Sequence, residues 1–206
     1  MIRTTALAAL LTLGIAVPAY SLPTEPARQV IEQTMTQLLD VLADKGLSQG
    51  QRAEKIETIA YSHFDFDRMS RLALGKSYKQ LTPEQRDAFA KEFRRHLSLT
   101  YRRRLDSYSN EKIETGAAKP LGTKIVAVAT KVVGGTADGL VIEYRLHQPE
   151  EEWLVLDILV EGVSLMGSFR SQVEEIIASG GPDQLIEKLR EKNAAAEAEA
   201  DASPTS

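Results

Sequence analysis

The sequence predicts an α+β fold: an antiparallel sheet of about four strands packed against several helices. Three observations predict it. Apolar residues recur at helical spacing from Ile31 to Leu105. From Lys124 to Val160 that spacing gives way to Val- and Ile-rich runs cut by turn clusters. After Ser164 the helical spacing returns, so helices and strands are segregated along the chain. The stretch from Trp153 to Arg170 is the pivot: an apolar strand, apolar at both parities, turns at Gly162 into a helix.

The elements follow in order. Met1-Ile2-Arg3 is a short basic start, Leu7 to Val17 is apolar, and Ala19-Tyr20-Ser21 is a small-x-small site. That order predicts a cleaved secretory signal over residues 1–21. The apolar run of about eleven residues is short of the roughly twenty that span a bilayer. Ile31, Met35, Leu38 and Leu42 then share one helical face, with Pro26 in the first turn and Gly46 as the stop. Ser48 and Gln51 form a capping-box pattern ahead of a helix carrying Ala53, Ile56, Ile59 and Ala60. Asp65 is placed to cap a short helix with Phe66, Met69, Leu72 and Ala73 inward and Gly75 at its end. Thr82-Pro83-Glu84-Gln85 repeats the capping pattern and opens the longest helix, with Phe89, Phe93, Leu97, Tyr101 and Leu105 at every fourth residue.

Three strands follow, at Lys124–Val133, Leu140–His147 and Trp153–Val160, joined by short turns as a meander, with a further edge strand starting near Ile113. Ser164 caps a helix carrying Met166, Phe169, Val173, Ile176 and Ile177, which Gly180-Gly181 ends. Pro182 opens a last helix through Leu185, Ile186 and Leu189. From Asn193 to Ser206 the chain has no apolar face to bury and is expected to be a disordered tail. One domain over 22–192 remains, with no linker inside it.

Composition narrows the chemistry. A net charge of -4 gives no general attraction to nucleic acid or anionic membranes. The absence of cysteine excludes disulfides and thiol chemistry. Known catalytic templates fail: there is no Gly-x-Ser-x-Gly elbow and no His-Glu-x-x-His helix, and the Gly116–Lys124 segment has Thr123 where a phosphate loop needs lysine. His63, Asp65 and Asp67 form a string that a hard metal could use, but a cap and surface acids explain it better. Asp157 is the notable acid, since a carboxylate within an apolar strand needs a partner. It is either a packing residue held by an arginine or by backbone donors, or a general base at a pocket mouth. Arg94, Arg95, Arg102, Arg103 and Arg104 form either a solvated face or a contact for phosphate headgroups or an acidic partner.

Three segments carry a resemblance: Phe64-Asp65-Phe66-Asp67-Arg68-Met69-Ser70-Arg71-Leu72-Ala73-Leu74-Gly75; Leu81 to Phe89 with Thr100-Tyr101; and Asp157 to Leu165 with Phe169-Arg170. Together they resemble the MlaC family, also called toluene-tolerance proteins, over nearly all of the mature chain. The hopanoid-associated HpnM group is similar and is the alternative. The chain departs from the family pattern at Gly167-Ser168-Phe169-Arg170, where Asn-Tyr-Arg is usual.

The resemblance implies a non-enzymatic, monomeric periplasmic carrier with no cofactor and no nucleic-acid partner. Its cargo would be a phospholipid or other membrane lipid, held in an apolar cavity between sheet and helices. Its partners would be an inner-membrane ABC transporter complex and an outer-membrane lipoprotein complex. The expected lining is Leu72, Leu97, Tyr101 and Leu105 from the helices, and Val128, Ile142, Tyr144 and Val155 from the sheet. Val163, Leu165 and Phe169 complete it after the turn, and Arg102, Arg103, Arg104 and Arg170 are expected to contact headgroups or partners. Two other classes stand beside this one: an α+β enzyme using Asp157 as acid or base, and an adaptor that binds only protein.

Overall fold

A computed structural model describes residues 22–105 and 110–202, with the side chains of 22–100 and 110–199. The expected signal segment lies outside the described residues. Five helices and five strands follow one another as α1 (Thr24–Ala43), α2 (Gln49–His63), α3 (Phe66–Leu74), a 3-10 turn (Gly75–Gln80), α4 (Pro83–Leu105), β1 (Lys112–Leu121), β2 (Ile125–Val133), β3 (Val141–His147), β4 (Leu154–Val160), β5 (Val163–Ser164) and α5 (Leu165–Ala202). The strands form one antiparallel sheet in the order β1-β2-β3-β4-β5. The segregated α+β pattern is therefore observed.

The predicted caps form. Ser48 and Gln51 make a reciprocal capping box on α2, and Thr82 and Gln85 bond each other's backbone at the start of α4. Asp65 accepts from the Arg68 amide at 2.8 Å. Gly181, at φ 77°, breaks α5 before Pro182, so that helix is two helices joined at a kink.

Two expectations change. The sheet has five strands rather than about four, and β1 is a full ten-residue strand. Its pattern is hidden by a bulge between Thr115 and Ala118, which shifts the inward parity so that Ile113, Thr115 and Ala118 do not alternate regularly. The segment from Asn193 is not a disordered tail through Ala202, because α5 continues there. Asn193 is fully buried against α4, where its amide donates to the Glu92 carbonyl and carboxylate, and Glu197 pairs with Arg95. Polar side chains dock this segment, so an apolar stripe was the wrong signal to look for.

A second bulge decides the sheet's faces. Leu146 pairs with Val155 but Arg145 pairs with Asp157, which leaves Leu156 as the extra residue. Cross-strand partners share a face. The row Ala118, Val128, Tyr144, Ile158 and the row Pro120, Val126, Leu146, Val155 therefore lie on one face, which α1 covers through Ala27, Ile31 and Met35. The row Lys119, Ala127, Arg145, Asp157 lies on the other. The apolar character of β4 at both parities thus has a geometric cause. A second core joins α3, α4 and α5 around Met69, Phe89, Phe93, Leu97, Met166 and Ile186. Phe64 packs against both cores, and its bridge to Val155 ties the α2–α3 junction to β4.

Candidate functional site

The expected lining residues divide between these two cores. Leu97 is buried in the helical core, and Leu72, Leu165 and Phe169 pack against it. Phe169 meets the Phe93 ring edge-on at 5.0 Å and the His96 ring at 5.7 Å. Val128, Tyr144 and Val155 are buried under α1, with Ile142 and Ile158 packed beside them. The structure brings each group together within its own layer. Tyr101 and Leu105 extend the α4 stripe along the helix backbone, but their side chains lie outside the described residues, as do those of Arg102, Arg103 and Arg104.

Val163 differs. It stands 63% exposed beside the β4–β5 turn and belongs to neither core. Arg170 also differs from its expected role. Its Nε donates to the Leu72 carbonyl at 2.9 Å, and its side chain lies over Gly75, where an added Cβ would come within 2.8 Å of the arginine Cδ. The guanidinium thus satisfies an orphan carbonyl at the end of α3. Only glycine at Gly75, with φ 53°, leaves it room.

Asp157 is held by donors on every side. Oδ1 accepts from the Ile158 and Met166 amides at 2.9 and 3.1 Å, and Oδ2 accepts from the Ser164 hydroxyl at 2.7 Å. Ser164 in turn accepts from the Gly167 amide. Asp157 therefore anchors the N-terminus of α5, the packing role rather than the catalytic one. Asp65 is shared similarly between the Arg68 amide and Nε2 of His147 at 2.8 Å. Among the described residues no group of acids and histidines could hold a metal ion.

Half-buried apolar side chains lie along α1 and α2 and on the sheet face that α1 covers. Leu38, Leu39, Val41 and Leu42 of the second half of α1 are half-buried. So are Ile56 and Ile59 of α2, which has no buried residue at all. Opposite α1, the sheet offers half-buried Ile142, Ile158 and Val160. Such side chains keep accessible apolar surface that an apolar ligand could cover. Three polar groups lie within this layer. Thr34 and Thr130 are buried and bond backbone carbonyls of Val30 and Ile142, and the Tyr144 hydroxyl reaches Met35 Sδ at 3.6 Å. Burial pushes the Tyr144 phenol up to about 12. At the β3–β4 end, the indole N–H of buried Trp153 has no partner among the described residues.

A groove of about 780 Å³ opens elsewhere, between α2, α4 and the end of α5, and none of the expected lining residues with described side chains borders it. Its charges are largely matched: Arg95 pairs with Glu197 and Glu92, and Arg94 approaches Asp67 at 3.8 Å while lying over the Tyr61 and Phe66 rings. Two of the five helix arginines thus have internal partners.

A family model described as MlaC protein matches residues 32–191. The chain belongs to the MlaC family. Among MlaC relatives, toluene tolerance protein ttg2D of Pseudomonas putida is 28% identical over 179 residues, covering 84% of this chain and 83% of that protein. The intermembrane phospholipid transport system binding protein MlaC of Haemophilus influenzae is 30% identical over 122 residues, 57% of each. A phospholipid-binding protein from Ralstonia solanacearum, solved in complex with a phospholipid, superimposes with a TM-score of 0.74 at 22% identity. That match spans 83% of this chain and 98% of the solved one, and establishes the shared fold. Among the described residues no helix is long and apolar enough to cross a membrane.

Sequence reasoning missed the buried contacts of His96, Asn193 and Glu92, because polar partners 97 to 101 positions apart leave no periodic trace. Met35 was legible as an α1 core residue, but its pairing with Tyr144 was not.

Proposed function

We propose that this chain is a periplasmic phospholipid carrier that moves lipid between an inner-membrane ABC transporter complex and an outer-membrane lipoprotein complex of Mla type, acting as a monomer and without catalysis. The observation that carries the proposal is membership of the MlaC family, together with the half-buried apolar residues of α1, α2 and the sheet face that α1 covers. The lipid-bound Ralstonia relative supports it. Asp157, the one acid that could have argued for an enzyme, is occupied as a helix anchor.

The acyl chains lie along this face, while Leu72, Leu97, Leu165 and Phe169 form the separate helical core beside it, with Tyr101 and Leu105 continuing the α4 stripe. Each methylene removed from water contributes about 0.8 kcal/mol, so two chains supply ample driving force without a tight headgroup site. Arg102, Arg103 and Arg104, at the end of α4, are the headgroup or partner contacts. Arg170 is left out of that set because it holds α3, and Val163 is left out of the lining because it is exposed.

Native mass spectrometry of the mature protein purified without added lipid tests the proposal, together with uptake from phospholipid vesicles. The expected result is co-purifying phospholipid with two acyl chains and measurable uptake. Lipid-free protein that also takes up none overturns it, and a hopanoid mass in its place overturns the phospholipid assignment.

A further inference from the structure

The stretch from Arg68 to Arg86 carries five cations and one acid, in a chain whose net charge is -4. It runs from α3 through the 3-10 turn into the start of α4. Arg68, Arg71, Lys76 and Lys79 are exposed, and Arg86 is half-buried. Arg68 and Arg71 are three apart on α3, and Lys76 and Lys79 are three apart on the 3-10 turn, so each pair shares a side of its element. Tyr78 joins the two ends of the stretch. The guanidinium carbons of Arg71 and Arg86 lie 5.3 and 4.2 Å from its ring centroid, and Arg86 Nε donates to the Tyr78 carbonyl at 3.0 Å. Tyr78 itself packs against the helical core, so this stack rests on a firm base.

None of these five cations makes an ion pair among the described residues, whereas Arg28, Arg95 and Arg190 each do. Glu84, the one acid of the stretch, is held by the Thr82 side chain and its own amide at the start of α4. The flanking acids Asp67 and Asp87 border the groove between α2 and α4 instead. Arg170, on the Leu72 carbonyl and over Gly75, fixes the end of α3 against the turn. The corner is therefore a shaped positive surface that the fold leaves uncompensated, which suits an anionic partner. Two features favour an acidic protein over an anionic membrane. Guanidiniums held over a ring present fixed forks, the geometry that pairs with carboxylates. Among the described residues the large exposed apolar side chains are Tyr61, Leu121, Val141 and Val163, so the corner has none to enter a bilayer.

Resting on the carrier reading above for the existence of protein partners, we propose that this corner docks an acidic segment of one of them. Arg71 and Arg86 grip its carboxylates, and Arg68, Lys76 and Lys79 steer its approach.

The probe is a fluorescein-labelled oligo-glutamate peptide, titrated by anisotropy against the mature protein at low ionic strength. The variant Arg71→Gln/Lys76→Gln/Lys79→Gln is expected to bind it roughly tenfold more weakly than the wild type. Lys119→Gln/Lys124→Gln/Lys131→Gln removes as much charge from the β1–β2 hairpin and is expected to change binding by less than about twofold. Arg71→Lys keeps the charge without the fork and is expected to weaken binding by about threefold. A peptide that the wild type does not bind, an equal loss in both triple variants, or full affinity in Arg71→Lys overturns the proposal. Flotation with phosphatidylglycerol vesicles that is lost in the corner variant also overturns it, because the corner then serves a membrane. Phospholipid uptake by the corner variant is expected to match the wild type, and its loss there overturns the docking role by making the corner part of the cargo site. Absence of uptake in the wild type, with peptide binding intact, overturns the carrier reading instead.

Discussion

The layer of α3, α4 and α5 and the layer of α1, α2 and the sheet fill space differently. In the first, Phe89 and Phe93 are 1% exposed and stack at 5.4 Å, and Phe169 closes on Phe93 edge-on. Polar clamps seal its ends: Arg170 on the Leu72 carbonyl, Asp157 on the first turn of α5, and Asn193 between Glu92 and His96. In the second, branched aliphatic residues predominate, α2 buries nothing fully, and the polar tip of Tyr144 rests on a thioether. Close-packed interiors admit no guest, whereas half-covered apolar surface gains by being covered. On the carrier reading proposed above, the helical layer holds the shape and the sheet layer holds the cargo.

The largest test of that division is a pair of truncations. Phe93→Ala should lower stability by about 3–5 kcal/mol, because its rigid ring contacts cannot collapse into the gap. Ile59→Ala on α2 should cost less than about 1 kcal/mol, because the side chain is only half-buried. Phospholipid uptake should show the reverse order per folded molecule, with the Ile59 variant impaired. Urea unfolding curves and vesicle uptake measure the two quantities. Equal destabilisation by the two substitutions would erase the difference between the layers.

Asp157→Asn gives the next effect. The amide offers one accepting oxygen where the carboxylate offered two, and it turns an NH2 either toward the Ser164 hydroxyl or toward the Ile158 and Met166 amides. Stability should fall by about 1–3 kcal/mol. Lipid uptake per folded molecule should hold, since the residue anchors α5 and touches no cargo. A variant of wild-type stability that carries no lipid would move Asp157 from the frame into the site.

The division between frame and site was only partly legible from residues. Helical spacing, the Ser48, Asp65 and Thr82 caps and the turn clusters are local signals, so the α+β architecture follows from them. β1 escaped because its bulge breaks the alternation at Gly116-Ala117. The docking of Asn193 escaped because a buried polar residue mimics a surface one until its partners are known. At the site, Val128, Ile142, Tyr144 and Val155 could be listed as apolar and inward without telling core from cavity, since both use the same side chains. The separation of Leu72, Leu97, Leu165 and Phe169 from the sheet residues is a tertiary fact with no counterpart in spacing. The β4 bulge, which places Val155 and Ile158 on one face, has none either.

The smallest effect probes the seal of the helical layer through pH. The Asn193 amide nitrogen donates to Glu92, so its oxygen faces His96 at 3.1 Å, and His96 Nδ1 carries the proton. Burial holds the His96 pKa below its ordinary value, and the Lys192 charge adds to this against the Asn193 bond. Of the other charged groups nearby, Glu92 is engaged by Asn193, Arg95 and Arg190, and Glu197 is paired with Arg95. The unfolded chain therefore takes up its proton first, at about pH 6.5, and binds more protons than the folded protein below that. Stability is fully present above that pH and declines as the pH falls through the depressed folded value. His63, on α2, is also depressed by burial, with Glu152 opposing, so it contributes a slope of the same sign from the other layer. His96→Gln should flatten part of the decline in urea midpoint below neutral pH and leave the share from His63. A decline that is unchanged in His96→Gln would mean that the α4–α5 seal does not sense protons, and that the acid sensitivity lies in the looser layer alone.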